Sequence, residues 1–390
     1  MRGSLSRKVM SRELSPAERA RYARHLILPQ VGEEGQKRLR DGSILVVGAG
    51  GLGSPVLLYL AAAGIGRIGI VDDDNVDITN LQRQVIHATA SIGQPKVASA
   101  VARIKQLNPE VEIVEYNLRL DVSNALEIID GWNVVVDGTD NFATRYTIND
   151  ACEILDVPWV FGSIHRFEGQ ISVFNYQGGP NYRDLFPTAP PPELAPNCAE
   201  AGVLGVLPGM VGTIQATEAL KIILGVGEAL SGKLMILDAI TMNMRALSFE
   251  AVPNRQPVKK ISKESIEAVC KSQIPKVVAP NNSMQITPNE FVNKKTNGWE
   301  PFLLDVRRQN EESIVSLPNT NLRIEHTSVP KRSSEIPKNR DIVVYCRVGG
   351  RSEVVANWLI QSGWDHSRVW NLAGGVHLWA DQIDSSIPKY

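Results

Sequence analysis

A glycine loop held between a short apolar strand and a helix constrains this chain most. Ser43 to Val47 (Ser-Ile-Leu-Val-Val) reads as one buried strand, Gly48-Ala49-Gly50-Gly51-Leu52-Gly53 follows at once, and Pro55 to Ala63 suits a helix. Ile68 to Val71 reads as a second strand ending on Asp72-Asp73-Asp74. The spacing predicts a βαβ unit with an acid placed to reach ribose hydroxyls. Lys96 to Leu107 continues as a helix, Val111 to Tyr116 as a strand, and Asn133 to Val136 as a buried strand running into Asp137-Gly138-Thr139-Asp140-Asn141. Such alternation predicts an α/β fold with a mostly parallel, doubly wound sheet.

Further along, Gly178 to Pro196 is rich in proline and glycine and reads as a long surface loop leading to Cys198. Residues 257–283 read as a linker, polar and lysine-rich, with a short helix from Ser262 to Cys270. A smaller α/β unit follows. Phe302 to Arg307 and Ile342 to Tyr345 are strands, Ser352 to Ser362 a helix, Val369-Trp370 a strand, and Gly374-Gly375 a turn before a last helix. The expected organisation is therefore 11–256, a linker at 257–283, and 284–390.

Composition narrows the partners. A net charge of −1 removes the basic excess that nucleic acid or an anionic membrane surface would require. The most apolar stretch, Val203 to Gly227, contains Gln215, Glu218 and Lys221, which fits a buried helix and no membrane span. Four scattered cysteines in 390 residues suit a reducing, cytoplasmic setting. The histidines His25, His87 and His165 read as structural.

The glycine loop alone admits either NAD or ATP. Basic residues tip the balance, because Arg83, in Asn80-Leu81-Gln82-Arg83-Gln84, and Lys96, after Gly93-Gln94-Pro95, would neutralise a triphosphate. Asp140 lies at a strand's carboxyl end, where open α/β sheets bind ligands, and could hold Mg²⁺.

Arg21-Tyr22-Ala23-Arg24-His25, Gly48 to Gly53, Asp72-Asp73-Asp74, Asn80 to Gln84, Gly93 to Lys96, Asp137 to Asn141 and Glu168-Gly169-Gln170 occur in that order. The series resembles the MoeB/ThiF family, bacterial relatives of ubiquitin-activating enzymes, over roughly residues 11 to 250. The resemblance implies a Rossmann-like domain that adenylates the C-terminal glycine of a ubiquitin-like sulfur carrier. It implies nucleotide contacts from Gly48, Gly50, Gly51, Gly53, Asp72, Asp74 and Asn80, with Asp72 on the ribose. Arg83 and Lys96 would bind phosphates, Asp140 would serve Mg²⁺, and Arg24 would reach the γ-phosphate of the other subunit of a homodimer. Cys198 matches a family cysteine, with a transient covalent link or a resolving disulfide as its role. One departure is plain. The family's two CxxC pairs for structural zinc fall here on Asn181-Tyr182-Arg183-Asp184 and on Asn254 to Val258, so zinc is expected to be absent, with loop packing in its place.

Near the C-terminus, Leu304-Asp305-Val306-Arg307, Cys346-Arg347-Val348-Gly349-Gly350-Arg351-Ser352 and Asn371 to Gly375 resemble the rhodanese family over roughly residues 284 to 390. A sulfur at a strand end gains backbone N–H groups, a helix N-terminus, Arg347 and Arg351, all of which stabilise an anionic persulfide. Gly349 and Gly350 let the loop curl around it. A phosphatase loop is the nearest rival, but its arginine would fall at Ser352. The combined resemblance implies an adenylyltransferase with a sulfurtransferase domain, using ATP and Mg²⁺. It would make a carrier thiocarboxylate for molybdenum cofactor synthesis (MoaD-type carrier), with sulfur from a donor such as a cysteine desulfurase. The alternatives are a ThiS-type carrier for thiamine, or a non-catalytic scaffold for ubiquitin-like proteins.

Overall fold

The computed structural model describes residues 12–189, 202–266 and 283–389. The chain divides into two compact units, Met1–Pro275 and Lys276–Tyr390.

The first unit is built on eight strands: β1 (Ser43–Val47), β2 (Arg67–Val71), β3 (Glu112–Tyr116), β4 (Val134–Asp137), β5 (Trp159–His165), β6 (Glu168–Phe174), β7 (Lys233–Asp238) and β8 (Asn243–Ser248). Their order is β3-β2-β1-β4-β5-β6-β7-β8. β1 to β5 run parallel, and β6, β7 and β8 extend the sheet antiparallel. β1 is buried along its whole length because both faces are covered. Ile44 and Val46 enter one core with Val56, Val97 and Leu207 from the helices Gly53–Ala63, Lys96–Leu107 and Leu207–Leu224. Leu45 and Val47 enter the other with Tyr146 and Ile148 of the helix Phe142–Leu155. This split follows from the two-residue period of a strand. The strand order switches sides between β1 and β4, which stay parallel, and this opens a crevice at their carboxyl ends.

Two readings of the sequence are corrected here. Part of the expected surface loop is core: Tyr182, on the short helix Tyr182–Leu185, is 1% exposed and packs against Tyr146, Phe161, Phe174 and Phe186. Flanking proline and glycine hid an aromatic anchor. The expected linker also begins inside the first unit, where Ile261 and Ile266 are buried. Its lysines and prolines obscured these two apolar contacts. Residues 190–196 of that loop, Cys198 and Cys270 lie outside the described residues.

In the second unit β9 (Met284–Ile286), β10 (Phe302–Asp305), β11 (Leu322–Arg323), β12 (Ile342–Tyr345) and β13 (Val369–Leu372) form a parallel sheet ordered β11-β10-β12-β13-β9. Alternate residues again serve two cores, with Leu304 and Val344 on one face and Leu303 and Val343 on the other. The helix Gly350–Gln361 follows β12 after a four-residue turn holding Cys346. No helix among the described residues is long and apolar enough to cross a membrane.

Candidate functional site

The glycine loop leaves β1 through Gly48 at φ +97°, where an added Cβ would lie 2.8 Å from the Gly138 carbonyl oxygen. At Gly53 a Cβ would overlap the Gly48 carbonyl oxygen, so this glycine serves the close packing of helix on strand. Gly50 is different. Its Cβ position is contested by no atom nearer than Gln84 Nε2 at 3.6 Å, which leaves bare backbone facing the crevice.

Asp72 holds the loop in shape, accepting hydrogen bonds from Ala49 N at 2.8 Å and Asp74 N at 2.9 Å. Burial pushes its carboxyl above the ordinary aspartate range, with Lys96 and the two N–H donors opposing. Behind the loop His87 is buried. Its Nε2 lies 2.9 Å from the Ala49 carbonyl oxygen and Nδ1 2.9 Å from Ser99 Oγ. A carbonyl can only accept, so Nε2 carries the proton of the neutral ring and Nδ1 accepts from Ser99. Burial holds His87 below its ordinary pKa, which fits a structural neutral imidazole.

These elements wall a cleft of about 600 Å³, within the range of small-molecule sites. Gly48, Gly50, Gly51, Asp72, Asp74, Arg83, Lys96 and Asp140 all line it. Lys96 Nζ pairs with Asp74 Oδ2 at 2.7 Å, and Arg83 Nη1 donates to the Thr79 carbonyl at 3.0 Å. The carboxylates of Asp72, Asp73 and Asp74 gather within 4.8 Å of one another, and Asp140 is not part of that group. Three sequence-expected residues fall elsewhere. Gly53 lies behind the loop, Asn80 sits on a 3₁₀ turn outside the lining, and Arg24 is exposed on the short helix Ala23–Leu26.

The sequence reading missed Leu118, Arg119, Leu120, Phe142, Arg145 and Phe161, which the fold brings to the same cleft. Arg145 is 6% exposed, with Nη2 on the Thr139 carbonyl at 3.0 Å and its guanidinium over Phe142 and Phe161. Its Nε lies 3.4 Å from Oδ2 of the fully buried Asp137. The only sequence signal was its place four residues beyond Asn141.

Where the family's zinc cysteines would stand, two guanidinium groups are found. Arg183 makes two 2.7 Å bonds to Asp150, while Arg255 bonds Asp184 at 2.8 Å and Glu153 at 2.9 Å. Asn181 Nδ2 also donates to Glu153 at 2.9 Å. A site already filled by two fixed cations and oxygen acceptors does not suit a thiophilic zinc ion.

In the second unit the Cys346 sulfur is buried. Gly349 N lies 3.1 Å from Sγ, and Ser352 Oγ lies 3.4 Å from Sγ and 2.9 Å from the Gly349 carbonyl oxygen. Gly349 has φ +94° and would clash with Gly374 N through a Cβ, whereas at Gly350 a Cβ would meet open space. Only the first of the two glycines is therefore demanded by the turn, and the helix begins at Gly350, two residues before its expected start. Val376 N and His377 N hold the Cys346 and Arg347 carbonyls, each at 3.0 Å. The guanidinium of Arg351, expected beside the sulfur anion, makes two 2.7 Å bonds to Glu311. Beneath, the fully buried Arg307 bonds Asp305, which also accepts from Tyr345 Oη at 3.0 Å. Burial and the Asp305 charge push Tyr345 up to about 12.

Sequence comparison agrees with this geometry. The ThiF family profile matches residues 22–258, and that of the rhodanese-like domain residues 287–382. The chain is 41% identical over 388 residues to a probable adenylyltransferase/sulfurtransferase MoeZ of Mycobacterium tuberculosis, spanning 97% of this chain and 96% of that protein. It is 40% identical over 398 residues to the adenylyltransferase and sulfurtransferase MOCS3 of Aedes aegypti, spanning 97% and 90%. Among solved structures it resembles E. coli MccB with MccA-N7isoASN at a TM-score of 0.56 and 19% identity, over 61% of this chain and 74% of that one, a likeness of fold. The chain thus belongs to the ThiF family, carries a C-terminal rhodanese-like domain, and is an enzyme of the adenylyltransferase and sulfurtransferase kind.

Proposed function

We propose that the protein uses ATP to adenylate the C-terminal carboxylate of a small ubiquitin-like carrier and then replaces AMP by sulfur delivered from Cys346. The observation that carries this reading is one chain holding both a glycine-loop cleft that Arg83, Lys96, Arg119 and Arg145 help to line and a cysteine whose sulfur receives a backbone N–H. Relatives of matching length carry both activities in their names.

In the first step a carboxylate oxygen attacks the α-phosphorus and pyrophosphate leaves. Two anions must approach, so cations must screen them. Arg83 and Lys96 would bind the phosphates, Asp72 the ribose, and bare backbone at Gly50 would let the phosphate chain approach closely; all four line the cleft. Mg²⁺ would supply further screening, with Asp140 as its ligand and the Asp72, Asp73 and Asp74 carboxylates nearby on the same cleft. Arg24, exposed outside the cleft, would act on the nucleotide of a second subunit in a homodimer. In the second step the terminal sulfur of a Cys346 persulfide attacks the acyl carbon and expels AMP. A thiol then attacks the Cys346 sulfur, forming a disulfide and releasing the thiocarboxylate. Cys198 is the candidate thiol within the chain.

The carrier is proposed to be MoaD-type, serving molybdenum cofactor synthesis in the cytoplasm, with a cysteine desulfurase as sulfur donor. Incubation with ATP and either a MoaD-type or a ThiS-type carrier, followed by intact-mass measurement of the carrier, tests this. An adenylate on the first alone supports the reading, and one on the second alone replaces it with a thiamine role.

A further inference from the structure

We infer that Glu311 sets the sulfur-donor selectivity of the Cys346 loop, by holding Arg351 in a neutral pair and so weakening the loop's grip on small dianionic donors such as thiosulfate. This rests on the reading of Cys346 as the sulfur-carrying residue.

Arg351 lies in the first turn of the helix Gly350–Gln361, immediately before Ser352, whose hydroxyl reaches the sulfur. Glu311 comes from the other side, on the short helix Gln309–Glu312. The two form a bidentate pair, Nη1 to Oε2 and Nη2 to Oε1, both 2.7 Å, with side chains only 17% and 11% exposed. Two further bonds fix the acid. Its Oε2 accepts from Arg308 N at 3.1 Å, and its own carbonyl accepts from Arg307 Nη1 at 3.3 Å. Arg307 is itself fully buried and anchored on Asp305. A carboxylate held at both ends keeps its place, so the guanidinium cannot turn toward a ligand without breaking two charge-assisted bonds.

Burial would raise the Glu311 pKa, but Arg351, the Arg308 N–H and Arg347 hold it below the ordinary glutamate range, so the acid stays charged at neutral pH. Arg347 also faces Glu311, while Arg308 and Glu325 flank His326, whose pKa is kept below its ordinary value by burial and Arg351, which favours its uncharged form. The Arg351–Glu311 pair therefore adds no net charge at the sulfur. Loading from thiosulfate needs a dianion beside Cys346. The thiolate attacks the sulfane sulfur, and sulfite leaves with the electron pair of the broken S–S bond. A persulfide carried on a thiol brings one charge and gains less from extra positive potential, so the pair discriminates by charge rather than by shape.

The test measures thiosulfate:cyanide sulfurtransfer in the full chain. With Glu311→Gln the kcat/KM for thiosulfate rises about tenfold, the size expected when one charge a few Å from a divalent ligand is removed in a water-like dielectric. The gain lies in KM and shrinks as salt rises. Adding Arg351→Gln to Glu311→Gln cancels the gain. A second measurement needs no variant: the wild-type KM for thiosulfate changes little with ionic strength. An unchanged or lower kcat/KM in folded Glu311→Gln, or a steep salt dependence in the wild type, overturns the inference. Cys346→Ala separates the two failures, because thiosulfate activity surviving in that variant removes the sulfur-carrying reading itself.

Discussion

Arg255 reaches Asp184 across 71 residues of sequence, Nε to Oδ1 at 2.8 Å, and with Glu153 it clasps the segment after β8 onto the wall of the nucleotide cleft. Asp184 is 1% exposed as a side chain and also caps Asn181 N and Val252 N, so the clasp leaves its carboxylate fully engaged. Tyr182, which lines the cleft, lies inside the clasped turn. Guanidinium–carboxylate bonds thus hold the segment that the resemblance to cysteine-bearing relatives leads one to expect without zinc.

Arg255→Gln therefore leaves Asp184 and Glu153 short of a partner and costs about 3 kcal/mol, the low end of the range for breaking a buried pair because the Arg255 side chain is 25% exposed. Thermal unfolding should shift down by several degrees, while a strong chelator leaves the wild-type transition unmoved. Metal analysis should find no stoichiometric zinc. A chelator-induced drop comparable to the Arg255→Gln effect contradicts this account.

Glycine 53 makes a steric prediction. A Cβ there overlaps the Gly48 carbonyl oxygen, so Gly53→Ala must push the helix Gly53–Ala63 off β1. Gly50→Ala meets no protein atom closer than 3.6 Å and intrudes only on a bound phosphate chain. The first variant should lose stability and ATP binding together, and the second ATP binding alone. Calorimetric titration with ATP beside thermal melts separates them.

The pH dependence of stability has a sign. His87 is held below its ordinary pKa by burial, and by the Lys96 charge, against the Ala49 hydrogen bond. The unfolded chain therefore takes up the proton first as pH falls through about 6.5. Stability from this group is complete above that value and is lost on acidification toward the folded pKa. His87→Gln should flatten the fall in melting temperature between about pH 7 and pH 5, where the unfolded imidazole titrates. An identical slope in both proteins removes His87 as its source.

Asp140→Ala should abolish carrier-dependent exchange of pyrophosphate into ATP while leaving thiosulfate sulfurtransfer in place, because Asp140 lines the cleft of the first unit and Cys346 belongs to the second. Wild-type exchange in that variant removes Asp140 from the chemistry.

What could be read from sequence was local. Gly48 to Gly53, Asp72 and Lys96 declare themselves because a βαβ unit fixes their separation, and Cys346 with Gly349 because a strand, a turn and a helix follow in order. Arg145 and Phe161 could not be placed, since only the crossover helix Phe142–Leu155 and the parallel pairing of β5 beside β4 bring them to the cleft. Glu311 stands 40 residues from Arg351, and nothing in the spacing announces their pairing. Tyr182 was hidden by its glycine- and proline-rich neighbours, whose turn chemistry marks a loop without saying that the loop is buried. Arg24 and Asn80 rest on resemblance, for the fold of a single chain leaves them outside the cleft lining.

The central claim is a division of labour between the two units, and Cys346→Ala tests it most directly. The variant is incubated with ATP, carrier and a persulfide donor, and the carrier's intact mass is read. The account predicts carrier adenylate at the wild-type rate and no thiocarboxylate, because in the proposed scheme Cys346 acts only after the adenylate exists. Serine at that position should behave alike, since a hydroxyl cannot store a persulfide. Thiocarboxylate formed at the wild-type rate by Cys346→Ala would contradict the account, and would pass the sulfur-handling role to Cys198.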